Sequence, residues 1–258
     1  MTNTNEVIAP AQMLADMIEG AGRWGVLDRY AVNMAMRQGR GRGVSSHVVL
    51  AEEWMSEPED FREQEFERLV ILDQILGSEA FEGEVLEGKY AFAMIKPRQD
   101  LIGKVGGSDE EIDEEIVGKV GNELEVMARI SLPFVDEKMV EGFYGHVKKV
   151  VSDEEWRRMV DYMTSGATTV LILKARELNA DRNAPAIWRE RIGKTNPKEA
   201  DPGTIRWEFG VSLGLNSVHG SSNPEDACIE SRMHLRSWLK VLREAFSEML
   251  RSEIVSEN

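Results

Sequence analysis

The sequence predicts an α/β (α+β) protein: a mixed domain over residues 89–258 that ends in a long helix, preceded by a helical extension over residues 1–88. Three observations carry this. Residues 90–95 (Y-A-F-A-M-I) form a short apolar run of buried-strand type, closed by Lys96-Pro97. Leu124, Val126, Ala128, Ile130 and Leu132 alternate with polar residues, the period of a half-buried strand. The stretches between and before these strands carry apolar residues at helical spacing instead.

In order along the chain, Met13, Leu14, Met17 and Ile18, then Trp24, Leu27, Ala31 and Met34, recur at helical intervals. Gly39-Arg40-Gly41-Arg42-Gly43 reads as a flexible basic linker. Ser56-Glu57-Pro58-Glu59 opens a helix with Phe61, Phe66, Leu69, Val70, Leu72 and Leu76 on its apolar side, and Gly77 stops it. After the strand at 90–95 comes a glycine-containing loop at 98–108, an acidic helix at 109–120 and the alternating strand at 124–132. Two helices follow, at 136–149 and 153–164, and Ser165-Gly166 breaks the chain before a third strand at 167–174. Residues 183–206 give a short helix and a long, locally basic loop. Leu235, Leu239, Leu242, Phe246 and Met249 mark the final helix, and the tail after Ser252 frays.

With 258 residues the chain can bury a full core. Its apolar runs are too short to span a membrane, and no secretory signal opens it. Cys228 is the sole cysteine, which excludes an internal disulfide and a cysteine-built metal site, and a cytoplasmic location is expected. Forty-six acidic against 31 basic residues give a net charge of −15, which disfavours nucleic acid as a partner. A small phosphate ligand remains compatible, because a few clustered cations reverse the field of one pocket.

The stretch from Asn216 to Glu230 concentrates the chemistry. Asn223 suits a helix N-cap, Pro224 the first helical position, and Asp226 completes a capping-box pattern. His219-Gly220-Ser221-Ser222 ahead of that helix offers backbone N–H groups, hydroxyl donors and a positive dipole end, a good place for an anion. Glu230 falls on the second helical turn, from where it can orient the imidazole. A lone histidine is ordinarily a core or surface residue, so other pieces must support a chemical role. Lys96 at a strand end, Arg189 and Thr195 flanking a turn, Arg206 closing the basic loop and Asn216 at the helix junction supply donors for a polyphosphate around His219. Gly193-Lys194-Thr195 mimics the end of a P-loop, but Trp188 stands where its first glycine belongs.

Six pieces then agree in order and rough spacing: A-M-I-K-P (93–97), F-Y-G-H (143–146), M-V-D-Y-M-T-S-G (159–166), G-K-T-N-P (193–197), P-G-T-I-R (202–206) and N-S-V-H-G-S (216–221). Over residues 89–239 the chain resembles the nucleoside diphosphate kinases. The resemblance implies a ferredoxin-like βαββαβ antiparallel-sheet fold and a ping-pong transfer through a phosphohistidine. On it, His219 matches the nucleophile and Glu230 the carboxylate supporting its ring. Lys96, Arg189, Thr195 and Arg206 match phosphate ligands, Asn216 and Lys96 match groups that also reach the sugar, and Tyr144 matches the tyrosine beside the lysine. Ser221 is counted among the nucleotide-binding hydroxyls. Nucleoside di- and triphosphates are the implied partners, Mg2+ arrives with the nucleotide without a protein metal cage, and a homo-oligomer is expected.

The chain also departs from the family pattern. Arg98-Gln99 replaces the usual Asp-Ala after Lys-Pro, and Ser222 replaces an Asp. The 144–159 stretch is about three residues longer than usual and lacks the family's Pro-Phe-Phe. Glu155 falls where the base-stacking phenylalanine usually sits, with Trp156 next to it, which either stacks on the base after a small shift or fills the core position. The altered hairpin motivates a second reading, an inactive kinase-like interaction module acting through its added helices, which the intact set around His219 opposes.

Overall fold

The computed structural model describes residues 59–97, 109–132, 135–178, 182–240 and 243–244. The basic stretch at 39–43, the helices expected before residue 56, the loop at 98–108 and the end of the last helix lie outside them. The elements are α1 (Glu59–Gly77), α2 (Glu79–Leu86), β1 (Tyr90–Ile95), α3 (Asp109–Gly118), β2 (Leu124–Leu132), α4 (Glu137–Lys148), α5 (Asp153–Met163), β3 (Thr168–Ala175), α6 (Ala184–Ile192), α7 (Ile205–Phe209), β4 (Val218–Gly220) and α8 (Pro224–Ile229). A π-helical turn, Glu230–Leu235, follows α8 directly, and residues 236–240 return to α-helix.

The sheet order is β2-β3-β1-β4, and every neighbouring pair is antiparallel. With a helix between β1 and β2 and another between β3 and β4, this is the ferredoxin-like arrangement. The link from β2 to β3 is not a tight turn but the helical pair α4–α5. β1 is central and buried along its whole length. Its odd and even residues enter two separate cores. Tyr90, Phe92 and Met94 pack with α1, α2, α4, α5 and the segment after β4, while Ala91, Ala93 and Ile95 pack with α3 and α6. Helices on both faces explain why β1 reads as a continuous apolar run.

β2 departs from the simple alternation expected of it. A bulge between Val126 and Ala128 breaks the register with β3. Leu124 and Val126 therefore pack on the second core, whereas Met127, Ala128, Ile130 and Leu132 lie in the first. An extra residue in one strand reverses which face its side chains meet.

Local signals set the helix ends. Asp136 caps α4 by accepting from Met139 N at 2.8 Å, and Ser152 forms a complete capping box with Glu155 on α5. Asn183 and Asn223 cap α6 and α8 in the same way, each followed within two residues by proline. Ser78 caps α2, a helix that the sequence reading left unassigned between Gly77 and Lys89. Among the described residues no helix is long and apolar enough to cross a membrane.

Helices α1 and α2 are part of the first core. Leu69, Leu72, Ile75 and Leu76 of α1 and Phe81 and Val85 of α2 are buried in the same cluster as Leu235, Trp238 and Leu239. The seam is ionic at its rim. Asp73 receives Arg236 Nε at 2.7 Å and Arg243 Nη1 at 2.9 Å.

Candidate active site

β4 sits at the sheet edge and holds His219 opposite Met94 of β1. Its entry is strained. Ser217 is the one described non-glycine residue with positive φ (66°), and Val218 N donates to Asn216 O at 2.8 Å across it. An i to i+2 hydrogen bond with a positive central φ is the less common hand of γ-turn, a conformation that persists only where its surroundings impose it. Here the imposition is visible. Ser217 is fully buried, its carbonyl accepts from Lys96 N at 2.9 Å, and its hydroxyl donates to Asn216 O at 2.6 Å. The turn lets Asn216 face Lys96 while the next residues rejoin the sheet.

The imidazole is held from several sides. His219 Nε2 lies 2.9 Å from Glu230 Oε1, so the carboxylate engages that nitrogen and leaves Nδ1 as the other ring nitrogen. Phe143 stands edge-on to the ring at 5.1 Å, with Phe92 and Tyr144 each at 6.1 Å. Behind the strand, Trp188 Nε1 donates to His219 O at 3.1 Å. A Cβ on Gly220 would fall 2.4 Å from Trp188 Cδ1, so glycine is required for this approach.

Glu230 opens the π-helical turn, not the second turn of a regular helix as the spacing suggested. Such turns are unusual and recur at functional positions. Its other oxygen, Oε2, accepts from Ser221 Oγ at 2.5 Å. Ser221 is fully buried and sits beside Phe92 O at 3.1 Å as well. Its hydroxyl is thus directed to Glu230 and the backbone, which corrects its expected place as a nucleotide ligand: it fixes the carboxylate that fixes the histidine.

A cavity of about 1330 Å³ opens in front of His219. Lys96, Tyr144, Arg189, Thr195, Arg206, Asn216 and Glu230 join the histidine in lining it. Lys96 Nζ donates to Asn216 Oδ1 at 2.8 Å, and Asn216 Nδ2 donates to Thr195 O at 3.3 Å. Arg206 donates through Nη1 to Gly193 O at 2.9 Å and through Nη2 to Val218 O at 3.1 Å, bracing the 193–206 loop against β4. Burial, reinforced by the Arg206 charge, pushes the Lys96 ammonium down to about 7. Burial and then Arg189 push Arg206 down to about 10, which leaves it charged at neutral pH. These cations strain against one another, and an anion between them would relieve the repulsion. Burial, with Glu230 nearby, raises the Tyr144 phenol. Among the described residues Tyr144 Oη and Arg206 Nε are buried with no hydrogen-bond partner, as donors reserved for a ligand often are.

Trp156 is not in the cavity wall. It is buried in the first core, with Lys148 Nζ 5.3 Å from its ring centre. The rotation of α5 turns Glu155 and Met159 to the cavity and Trp156 inward. The base-stacking role expected of Trp156 is therefore corrected. Val147, Val151, Met159, Leu213 and Leu215 add aliphatic side chains to the same lining. Residues that sequence reasoning missed include Phe143, Trp188 and Ser217. Phe143 and Ser217 lie inside recognised pieces and Trp188 shortly before one, but only the fold shows how they act around the imidazole.

A family model described as nucleoside diphosphate kinase matches residues 89–238. A nucleoside diphosphate kinase of Chlamydia abortus is 42% identical over 104 residues, 40% of this chain and 67% of that protein. One from Syntrophotalea carbinolica is 38% identical over 139 residues, 54% of this chain and 88% of the relative. A crystal structure of the nucleoside diphosphate kinase from Encephalitozoon cuniculi aligns at 30% identity and a TM-score of 0.43, over 57% of this chain and 89% of that one.

Proposed function

Since the chain belongs to the nucleoside diphosphate kinase family of phosphotransferases, we propose that it moves the γ-phosphoryl group of a nucleoside triphosphate to a nucleoside diphosphate in two steps through His219. In the first step Nδ1 of the neutral imidazole attacks the γ-phosphorus. The N–P bond forms as the bond to the β,γ-bridging oxygen breaks, and the diphosphate leaves with that oxygen. The proton on Nε2 stays in the bond to Glu230, whose charge stabilises the positive ring formed by attack. In the second step a terminal oxygen of another diphosphate attacks phosphorus, the N–P bond breaks, and neutral imidazole returns.

The single observation that supports this most is the His219–Glu230 pair at 2.9 Å in the wall of a cavity shared with Lys96, Arg189 and Arg206. Lys96 and the two arginines would counter charge on the three equatorial oxygens, where it spreads in the transition state. Asn216, hydrogen-bonded to Lys96, would reach the sugar in this reading, and Thr195 and Tyr144 would add hydroxyl contacts. Among the described residues there is no group of three or more His, Cys, Asp and Glu that could hold a metal. Mg2+ belongs to the nucleotide substrate in this reading and would neutralise the phosphate oxygens that the protein leaves free.

Labelled triphosphate should leave acid-labile, base-stable phosphate on the chain, and His219→Ala should abolish both this label and transfer to a diphosphate. Retained label in His219→Ala would sink the assignment. The buried lone Cys228 suits a reducing, cytoplasmic setting. Trp207, Val211 and Leu213, exposed on one segment, support self-association into a homo-oligomer.

A further inference from the structure

We propose that the helices preceding the family domain serve the reaction itself: α1 and α2 clamp Arg232, and Arg232 holds the π-helical turn that presents Glu230 to His219. Arg232 is a positioning residue in this sense, and the proposal rests on the reading of His219 as the phosphate acceptor.

Arg232 stands two residues after Glu230, inside the π-helical turn. Its Nε donates to Leu76 O at 3.1 Å and its Nη2 to Gly77 O at 3.2 Å, the open carbonyls at the end of α1. Its Nη1 pairs with Glu82 of α2. A cation on helix C-terminal carbonyls is favourable, since those acceptors have no intrahelical donor and carry the negative end of the dipole. All three partners lie before Lys89, where the family match begins.

The turn itself needs such support. A π-helical turn is widened against the usual ladder and survives where neighbours determine it. On one side of Glu230 are His219 and Ser221. On the other side the backbone continues into Arg232, and one turn later into Arg236, which is bonded to Asp73 at 2.7 Å. Gly77 lies so close to that second guanidinium that a Cβ would fall 2.8 Å from it. The carboxylate is thus held between the sheet edge and the extension, and loosening either end lets it move off Nε2.

The experiment is single-turnover phosphorylation of the full-length protein by a labelled triphosphate, for Arg232→Ala, Glu230→Gln and the double variant. Arg232→Ala is expected to slow His219 phosphorylation by about tenfold while triphosphate affinity stays within about twofold, and to cost less than about twofold more in the Glu230→Gln background. Glu82→Gln, which keeps the shape of the contact, should show a smaller loss with the same pattern if Arg232→Ala fails to fold by circular dichroism. Wild-type rates in the variants that fold would overturn the proposal, as would an equal loss with and without Glu230 or a loss confined to affinity. If His219→Ala still accepts phosphate, the site reading itself fails, and that outcome is separate from any result at Arg232.

Discussion

Lys96 shows how far a single residue departs from its ordinary chemistry in this setting. Burial and the Arg206 charge bring its ammonium down to about 7, so at pH 8 most of the nucleotide-free protein carries it neutral. A polyphosphate beside it restores the preference for the cation, and the missing proton must come from solvent. At pH 6 the group is charged before and after binding, so that uptake disappears. Titration calorimetry of Mg-diphosphate in buffers of different ionisation enthalpy should therefore show up to about one proton more taken up by the wild type than by Lys96→Gln at pH 8, and near equality at pH 6. Equal uptake at pH 8 would contradict the lowered value. The chemical identity of Lys96 was legible from its place after an apolar strand. Its lowered proton affinity was not, because that depends first on burial by the folded chain and then on Arg206, 110 residues later, folding against it.

At the scale of elements, β4 is positioned by contact more than by length. Three residues pair with β1, and their placement depends on the γ-turn at Ser217 and on Trp188 packed behind them. Gly220→Ala would force the indole back, and overpacking of this kind costs about 1–3 kcal/mol. Chemical denaturation should show that loss, and turnover should fall with it because the histidine is the residue before the displaced backbone. Unchanged stability would mean that the indole yields freely. The capping signal was read at α8, where Asn223 with Pro224 marked its start, whereas the capping box of Ser152 with Glu155 on α5 emerged only from the structure. The π-helical turn was not readable, because no local pattern distinguishes an i to i+5 ladder from a regular helix. The bulge in β2 was hidden for a similar reason, since pairing with β3 decides which residue is extra. Trp156 and Glu155 are adjacent on one helix, and only its packing on the core decides which of them meets the cavity.

For the whole molecule, the extension and the family domain are not separable in energy. Leu69, Leu72, Ile75, Leu76, Phe81 and Val85 are each at most 3% exposed. Burial of such side chains contributes about 1.5–3 kcal/mol apiece, so together they amount to on the order of ten kcal/mol, comparable to the entire stability of an ordinary domain. A chain beginning at Lys89 is expected to melt far lower than the full chain, or to aggregate through the uncovered face, as thermal melting with light scattering would show. A truncated protein with the original melting temperature would contradict this. The sequence separated the two regions because the family resemblance stops at residue 89, whereas the apolar stripe of α1 left open whether it covers the second region or a partner subunit, and the structure shows the former. Lastly, the sheet ends beside the imidazole of His219 in a defined way. Ser217 and Ser221 exchange main-chain bonds with β1, so by alternation the carbonyl of Val218 faces outward, and the guanidinium of Arg206 occupies it. An acceptor occupied in this way is closed to the hydrogen bond that a strand from a neighbouring copy would make there.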